Sequence, residues 1–117
     1  MRGVDDGIDT RTMVTYEVTA VVDESLVDEY EEYMRSVHVP DLLATGCFVG
    51  ASFSRAGGNR YRMRYEAPNR ETLDRYLAEH AGALREHVQE QFPSGVLLSR
   101  EEWTVVEVWP VSGSPPR

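Results

Sequence analysis

The stretch Ser36-Val-His-Val-Pro-Asp-Leu-Leu-Ala-Thr-Gly-Cys-Phe48 separates a helix pattern from a strand pattern and decides the order of the elements around it. Pro40 disfavours a helical conformation at the residue before it, so the sequence predicts that the preceding helix breaks or kinks at Val39. Residues 41–46 are typical of one more helical turn, closed by a glycine in the left-handed conformation. A second strand is expected directly afterwards, over residues 47–54.

Before this stretch, a strand pattern is followed by a helix pattern. Residues 13–22 alternate in polarity with the period of a half-buried strand. Residues 23–37 place apolar side chains at helical spacing, with acidic side chains on the opposite side. This acidic side has two interpretations, a partner-binding surface or a solvated helix face, and the second is the commoner one. The apolar stripe of the helix consists of Leu26, Tyr30, Tyr33, Met34 and Val37.

After this stretch, the patterns of a strand, a helix and a last strand follow. Residues 56–59 have the composition of a hairpin turn, and residues 60–67 alternate strictly. Asn69 caps a second helix, in which Gly82 indicates close packing or a small kink. A last strand is expected within residues 96–109. The two faces of the third strand carry Tyr61, Met63 and Tyr65 on one side and Arg60, Arg62, Arg64 and Glu66 on the other.

Length and composition indicate one domain between two tails. The 117 residues suffice for a single hydrophobic core, which we place at residues 13–109, with disordered tails at 1–12 and 110–117. The 20 acidic residues outnumber the 12 basic ones, and the net charge of −8 disfavours nucleic acid and anionic membranes as partners. With a single cysteine, Cys47, and no signal-peptide or membrane-spanning pattern, we expect a cytoplasmic protein.

The order β-α-β-β-α-β predicts an α+β fold of the ferredoxin-like type. In this fold a four-stranded antiparallel sheet carries both helices on one face. The opposite face would then be uncovered, although the last strand has tryptophans that would lie there. Because a sheet face with apolar content needs a cover, and a second copy of the chain is the economical one, we expect a homodimer that packs sheet against sheet.

Three segments carry a resemblance to known proteins: Tyr16-Glu-Val-Thr, His38-Val-Pro-Asp-Leu-Leu-Ala-Thr-Gly-Cys-Phe48 and Tyr76-Leu-Ala-Glu-His-Ala-Gly-Ala-Leu-Arg85. Together they resemble a family of small, functionally uncharacterised bacterial proteins in the dimeric α+β-barrel superfamily. The resemblance implies the ferredoxin-like fold and the dimer. Superfamily members include cofactor-independent monooxygenases of antibiotic biosynthesis, lactone isomerases and haem-degrading enzymes. The resemblance therefore implies no single activity, and none of their catalytic motifs matches residue by residue.

His38 is the first candidate for chemistry. It lies near the predicted C-terminus of the first helix, where the helix dipole favours a charged imidazole, and at the edge of the apolar stripe, where it would open onto a cleft. There we expect its pKa near or somewhat above the usual value of about 6.5. The alternative is a structural histidine that packs or caps helix carbonyls.

Tyr16 and His80 are candidates for lining the same cleft from helix-facing positions. His80 falls on the apolar stripe of the second helix, where it either lines a pocket or is a core histidine bonded to a backbone carbonyl. The histidines have no zinc-type spacing and no phosphate-binding glycine loop occurs, so the sequence predicts neither a metal nor a cofactor.

Glu17, Arg62 and Arg64 are candidates on the other face of the sheet. The arginines share one face of the third strand, and Glu17 lies on the strand expected beside it. Two interpretations stay open. One is a cross-strand ion-pair network that fixes the dimer register, and the other is an anion site for a carboxylate or an enolate.

From these patterns we expect a small homodimeric protein that binds, or also transforms, a small organic acid or aromatic molecule in a cleft between the sheet and the helices. The sequence identifies no catalytic residue. The alternative is a non-catalytic homodimeric module with a structural or ligand-sensing role. The expected ligand-contacting residues are His38, Tyr16, Glu17, Arg62, Arg64 and His80.

Overall fold

A four-stranded antiparallel sheet forms the centre of the structure, a computed structural model that describes residues 10–111. The strands are β1 (Val14–Val22), β2 (Gly50–Ala56), β3 (Arg60–Ala67) and β4 (Val96–Thr104). Their spatial order is β2-β3-β1-β4, so β1 and β3 are central and β2 and β4 are the edges. This arrangement confirms the predicted α+β, ferredoxin-like fold.

The helices pack on one face of the sheet. Buried side chains of the helices, among them Tyr30, Leu73 and Tyr76, form one cluster with buried side chains of β1 and β3. The predicted cap of the second helix is present, since the Asn69 side chain accepts a hydrogen bond of 2.8 Å from the Thr72 N–H. The helical elements are α1 (Val27–Tyr33), a π-helical turn (Met34–His38), α2 (Val39–Leu43), α3 (Arg70–Glu79) and α4 (Ala81–Gln91), with short 3-10 turns at Thr10–Thr12 and Glu24–Leu26.

The sequence predicted that the helix breaks or kinks at Val39. The chain passes through Pro40 without leaving the helix, so the break is wrong, and a π-helical irregularity lies directly before Val39 instead. Val39 has helical dihedral angles, with φ −65° and ψ −45°, and its N–H bonds to the Met34 carbonyl five residues earlier. The π-turn Met34–His38 is wider than an α-turn and accommodates the proline, which in an α-helix clashes with the carbonyl four residues before it. The same turn leaves Val37 exposed instead of on the apolar stripe.

The second helix is divided near Gly82, where the sequence indicated close packing or a small kink. α3 and α4 meet at His80, whose φ of −124° lies outside the helical range. The break lies two residues before Gly82, the weakest helix former of the segment. A Cβ atom at Gly82 would meet open space, so the interpretation of close packing there is wrong.

Two strand boundaries also differ from the predicted ones. β2 starts at Gly50 rather than at residue 47, and Gly50 pairs with Glu66, one residue before β3 ends. β4 ends at Thr104 rather than near residue 109. Thr104 pairs with Val14, the first residue of β1, so no partner strand remains for the residues that follow.

The two predicted tails lie mostly outside the described residues, which exclude 1–9 and 112–117. Of the N-terminal tail, residues 10–12 form a 3-10 turn, and the Thr12 hydroxyl donates a 2.7 Å hydrogen bond to the Pro68 carbonyl. Between residues 10 and 111, no helix has the length and hydrophobicity that crossing a membrane requires.

Gly46 provides a direct test of the turn after α2. Its φ is +78°, the predicted left-handed conformation. A Cβ atom there would meet no atom within 4 Å, so a substitution is penalised by backbone strain alone. We expect Gly46→Val to lower the free energy of unfolding by about 1–2 kcal/mol, because a β-branched residue fits this region poorly. Urea denaturation measures the loss, and Gly82→Ala should show none. An unchanged midpoint for Gly46→Val would contradict this account of the turn.

Candidate functional site

A small cavity lies between the helices and the sheet, beside the π-turn. Its free volume is about 30 Å³, enough for one or two water molecules. The π-turn contributes Met34 and His38 to the lining, and the sheet contributes Tyr16 and Tyr65. The other polar lining residues are Tyr30, Tyr76, Arg85 and Arg100.

Three tyrosines form one wall of the cavity. Tyr16 pairs directly with Tyr65 across β1 and β3, and their ring centroids are 6.0 Å apart. The Tyr76 ring of α3 lies 5.7 Å from that of Tyr16. Burial raises the pKa of Tyr65 and of Tyr76 well above the usual range. Both hydroxyls therefore stay protonated at neutral pH and remain hydrogen-bond donors.

The hydroxyls of Tyr16 and Tyr65 differ in their partners. The Tyr16 hydroxyl accepts a 3.0 Å hydrogen bond from Nη2 of Arg85 on α4. The Tyr65 hydroxyl is buried and has no hydrogen-bond partner among the described residues. A buried polar group without a hydrogen-bond partner lowers the stability of the folded protein by about 1–3 kcal/mol. The presence of an unpaired tyrosine hydroxyl at residue 65 therefore needs an explanation.

His38 carries the second buried polar atom of this cavity without a partner. Its Nδ1 forms no hydrogen bond with any described residue, so the alternative in which it caps a helix carbonyl through this atom is not observed. Its ring stacks beside that of Tyr33, with centroids 6.3 Å apart. Burial lowers the pKa of His38 from 6.5 to about 4; Arg100 and His87 add to this lowering, and Asp41 opposes it. The imidazole is therefore neutral at physiological pH.

The expected pKa of His38, near or above 6.5, is therefore wrong. That expectation placed His38 at a helix C-terminus, where the dipole stabilises the charged form. The helix instead continues through α2 to Leu43, so the unpaired carbonyls lie beyond the imidazole. Without that stabilisation, desolvation decides the direction of the shift.

The six residues expected to contact a ligand fall into three places. Tyr16 and His38 line the cavity. His80 lies at the break between α3 and α4, where its ring stacks on that of Tyr76 with centroids 6.3 Å apart, and it does not reach the cavity lining. The remaining three, Glu17, Arg62 and Arg64, lie on the opposite face of the sheet and border a groove there.

On that opposite face, Glu17 and Arg64 form the predicted cross-strand pair. They are direct partners in the β1–β3 ladder, and Arg64 Nε lies 3.2 Å from a Glu17 carboxylate oxygen. Arg62 is one of the exposed residues of this face. The sheet therefore separates the six residues, and one binding site cannot contain them all.

Arg85 and Arg100 are cavity residues that the sequence reasoning did not select. Arg100 belongs to β4 and pairs with Val18, whose side chain also lines the cavity. Its position follows from the register of β4, which the sequence left open. Arg85 lies one residue after Leu84 of the apolar stripe, so helical spacing was the signal that could have placed it at the rim.

The donor set of the cavity suits an organic ligand better than a metal ion. Among residues 10–111, no three histidine, cysteine, aspartate or glutamate side chains lie close enough together to hold a metal. The cavity instead presents a neutral imidazole, protonated tyrosine hydroxyls and arginine guanidinium groups.

The fold is shared with solved structures of low sequence identity. SnoaB, a cofactor-independent oxygenase from Streptomyces nogalater, matches with a TM-score of 0.68 at 16% identity over 86% of this chain and 99% of that chain. A monooxygenase from the gene ActVA-Orf6 of Streptomyces coelicolor, in complex with nanaomycin D, gives 0.64 at 14% identity over 93% and 96%. A conserved protein from Methanosarcina mazei gives 0.59 at 12% over 79% and 93%. At these identities the likeness shows the fold alone.

A family model matches most of the sequence. No curated protein matches it significantly. A family model covers residues 13–106, which is most of the chain, and describes a domain of unknown function, DUF4286. The expected membership of a functionally uncharacterised family is confirmed. On the extent of this match, the chain belongs to the DUF4286 family, a domain of unknown function.

Proposed function

We propose that the protein binds a small hydroxylated organic acid, such as a phenolic carboxylate, in the cavity between the helices and the sheet. The observation that carries this proposal is the pair of buried polar atoms without partners, His38 Nδ1 and the Tyr65 hydroxyl. Both belong to side chains that line the same cavity. Buried polar groups are normally satisfied, so a ligand or water that serves both explains their retention.

The protonation states of the lining residues define the ligand chemistry. Neutral His38 accepts a hydrogen bond from a ligand hydroxyl, and protonated Tyr65 donates one to a ligand oxygen. Arg85 and Arg100 supply positive charge at the exposed rim, which suits a carboxylate. A ligand that carries both a hydroxyl and a carboxylate therefore matches the cavity better than one that carries either group alone.

The ligand needs more room than the present cavity offers. About 30 Å³ is free, whereas sites for small organic molecules span about 300 Å³ or more. Two features of the lining allow it to open. Met34 has a flexible, unbranched side chain, and the π-turn that carries Met34 and His38 is a helix irregularity of the kind that often occurs at functional sites. We therefore place the opening movement at this turn.

Thermal melts with four matched ligands test the proposal. The ligands 4-hydroxybenzoate and salicylate carry both groups, while benzoate lacks the hydroxyl and phenol lacks the carboxylate. We expect the first two to raise the melting temperature in a concentration-dependent way and the other two to have a smaller effect. Tyr65→Phe should remove most of the increase, and Arg62→Gln, on the opposite face, should keep it. Equal responses to all four ligands, or none, would contradict the proposal.

We also propose that a second copy of the chain packs on the open face of the sheet. Trp103 and Leu97 are exposed there at 51% and 74%. The face carries charges of both signs, arginines on β3 and Glu101 on β4, which is the charge pattern that a self-complementary two-fold contact requires. This favours a homodimer that packs sheet against sheet.

Replacing Trp103 should dissociate this dimer. We expect Trp103→Glu to shift sedimentation at micromolar concentration from dimer to monomer, because it places charge within an apolar contact. Val37→Glu makes a similar change at an exposed helix position and should leave the dimer intact. A monomeric wild type, or dissociation by both variants, would rule out this interface.

A further inference from the structure

The polar groups of the cavity between the helices and the sheet lie at two depths. The Tyr65 hydroxyl and His38 Nδ1 are buried atoms without a hydrogen-bond partner among the described residues. Arg85 of α4 and Arg100 of β4 line the same cavity, but both residues are exposed. The neutral hydrogen-bonding groups therefore lie at the closed end of the cavity, and the two positive charges lie at its mouth.

Tyr16 connects the two depths. Its ring is buried beside that of Tyr65, with centroids 6.0 Å apart, and its hydroxyl accepts a 3.0 Å hydrogen bond from Nη2 of Arg85. A guanidinium group has five N–H donors, so Arg85 retains donors for a ligand. A side chain that is already oriented loses less entropy when it binds. Tyr16 therefore holds Arg85 in position at the mouth of the cavity.

Both arginines at the mouth keep their full charge. Within residues 10–111, no aspartate or glutamate forms an ion pair with Arg85 or Arg100. They differ in how they are held, because Arg85 is bonded to Tyr16, whereas no hydrogen bond joins the Arg100 side chain to another described residue. In a protein with a net charge of −8, two unpaired cations at one cavity favour an anionic ligand group, and Arg85 is the better oriented of the two.

We propose that the ligand is a para-hydroxylated aromatic carboxylate, bound with its hydroxyl inward and its carboxylate on Arg85, which Tyr16 positions. This inference rests on the function proposed above and adds the spacing of the two ligand groups. A hydroxyl that reaches the buried atoms of His38 and Tyr65 and a carboxylate at the exposed mouth lie at opposite ends of the ligand. On a benzene ring the para arrangement provides this separation, whereas the ortho arrangement places the two groups side by side. The planar guanidinium group of Arg85 matches a carboxylate with paired hydrogen bonds.

Calorimetric titration with the three hydroxybenzoate isomers tests the spacing, because these ligands have the same groups, size and charge. We expect 4-hydroxybenzoate to bind about tenfold or more tighter than salicylate, the ortho isomer, with 3-hydroxybenzoate between them, since only the para isomer satisfies both ends of the cavity. The neutral 4-hydroxybenzamide keeps the para hydroxyl without the charge. It should bind about tenfold weaker than 4-hydroxybenzoate.

Substitutions at the mouth test the roles of the two residues. Arg85→Gln should remove the preference for 4-hydroxybenzoate over 4-hydroxybenzamide, and Tyr16→Phe should reduce it about threefold or more. The double variant should bind no more weakly than Arg85→Gln alone, because Tyr16 acts through Arg85. Arg70→Gln is the matched control, since Arg70 is an exposed arginine of α3 that pairs with two carboxylates outside the cavity lining. It should keep the preference of the wild type.

Different results would overturn this inference and the proposed function. If the wild type binds 4-hydroxybenzoate, equal or tighter binding of salicylate, or an unchanged preference in Arg85→Gln, would overturn the inference alone. Additive losses from Tyr16→Phe and Arg85→Gln would contradict the positioning of one residue by the other. No binding of any isomer by the wild type would overturn both. Urea midpoints of the variants separate unfolding from loss of binding, since Tyr16→Phe keeps the buried ring and Arg85 is exposed.

Discussion

Acidification from about pH 7 to pH 4 is expected to lower the free energy of unfolding by about 3 kcal/mol through His38 alone. Burial lowers the pKa of this imidazole from 6.5 to about 4 in the folded protein. The unfolded chain keeps the usual value of about 6.5 and therefore binds the proton more tightly. The stabilising contribution is complete above pH 6.5 and is lost as the pH falls towards 4. Each unit of pKa difference corresponds to about 1.4 kcal/mol.

Glu31 is a second titrating group, and it limits the pH range in which the loss of stability can be assigned to His38 alone. The pKa of Glu31 is held below its usual 4.5, chiefly because the Tyr61 hydroxyl donates to the carboxylate and also because Arg55 does. Protonation of Glu31 adds its own loss of stability, but only below that value. The interval from pH 6.5 to 4.5 therefore isolates the imidazole.

Urea denaturation across this interval measures the effect. His38→Phe keeps a flat ring beside Tyr33 but cannot titrate, so its stability should be independent of pH there. His80→Gln removes the histidine at the break between α3 and α4, outside the cavity lining, and should keep the slope of the wild type. A wild-type protein whose stability does not change over the interval would contradict the buried, neutral imidazole.

Two matched tyrosine substitutions are expected to change stability in opposite directions. Tyr65→Phe removes a buried hydroxyl without a partner and should raise the free energy of unfolding by about 1 kcal/mol. Tyr61→Phe removes a hydroxyl that donates a 2.6 Å hydrogen bond to Glu31 and should lower it by about 1 kcal/mol. Both rings are buried and both residues belong to β3, so the volume removed is the same.

Chemical denaturation should show that the free energies of unfolding of the two variants differ by about 2 kcal/mol. The gain from Tyr65→Phe should be accompanied by loss of ligand binding, since a group that costs stability in the free protein serves the ligand. A destabilised Tyr65→Phe variant would mean that the hydroxyl already has a hydrogen-bond partner in the free protein. That result would contradict the observation on which the ligand proposal rests, a buried Tyr65 hydroxyl without a partner.

The order of the elements along the chain and the central strands were predictable because their patterns are local. The third strand was expected at residues 60–67 and lies at Arg60–Ala67, since strict alternation leaves one face for the core. The π-turn was not predictable in this way. The expectation of a break at Pro40 assumed α-helical spacing, and no residue composition marks a helix in which one N–H reaches back five residues.

Part of the candidate site was predictable for the same reason. Tyr16 was placed on the helix-facing side of β1 by alternation alone, and it lines the cavity. Arg100 was not found, because its place depends on which residue of β1 it pairs with. The pKa of His38 was mispredicted because its sign depends on where the helix ends, and that end moved by one turn. Register and helix continuity are set by tertiary contacts.

Nitrogen NMR of the His38 imidazole, recorded with and without 4-hydroxybenzoate, tests the central claim most directly. In the free protein at about pH 6, the account predicts the chemical shifts of a neutral ring, whereas a solvent-exposed histidine would be largely protonated. On titration it predicts a saturable shift of the Nδ1 signal, because this atom accepts a hydrogen bond from the ligand hydroxyl, and a much weaker response in Tyr65→Phe. A protonated ring at this pH, or an Nδ1 signal that stays unchanged in the presence of excess ligand, would contradict it.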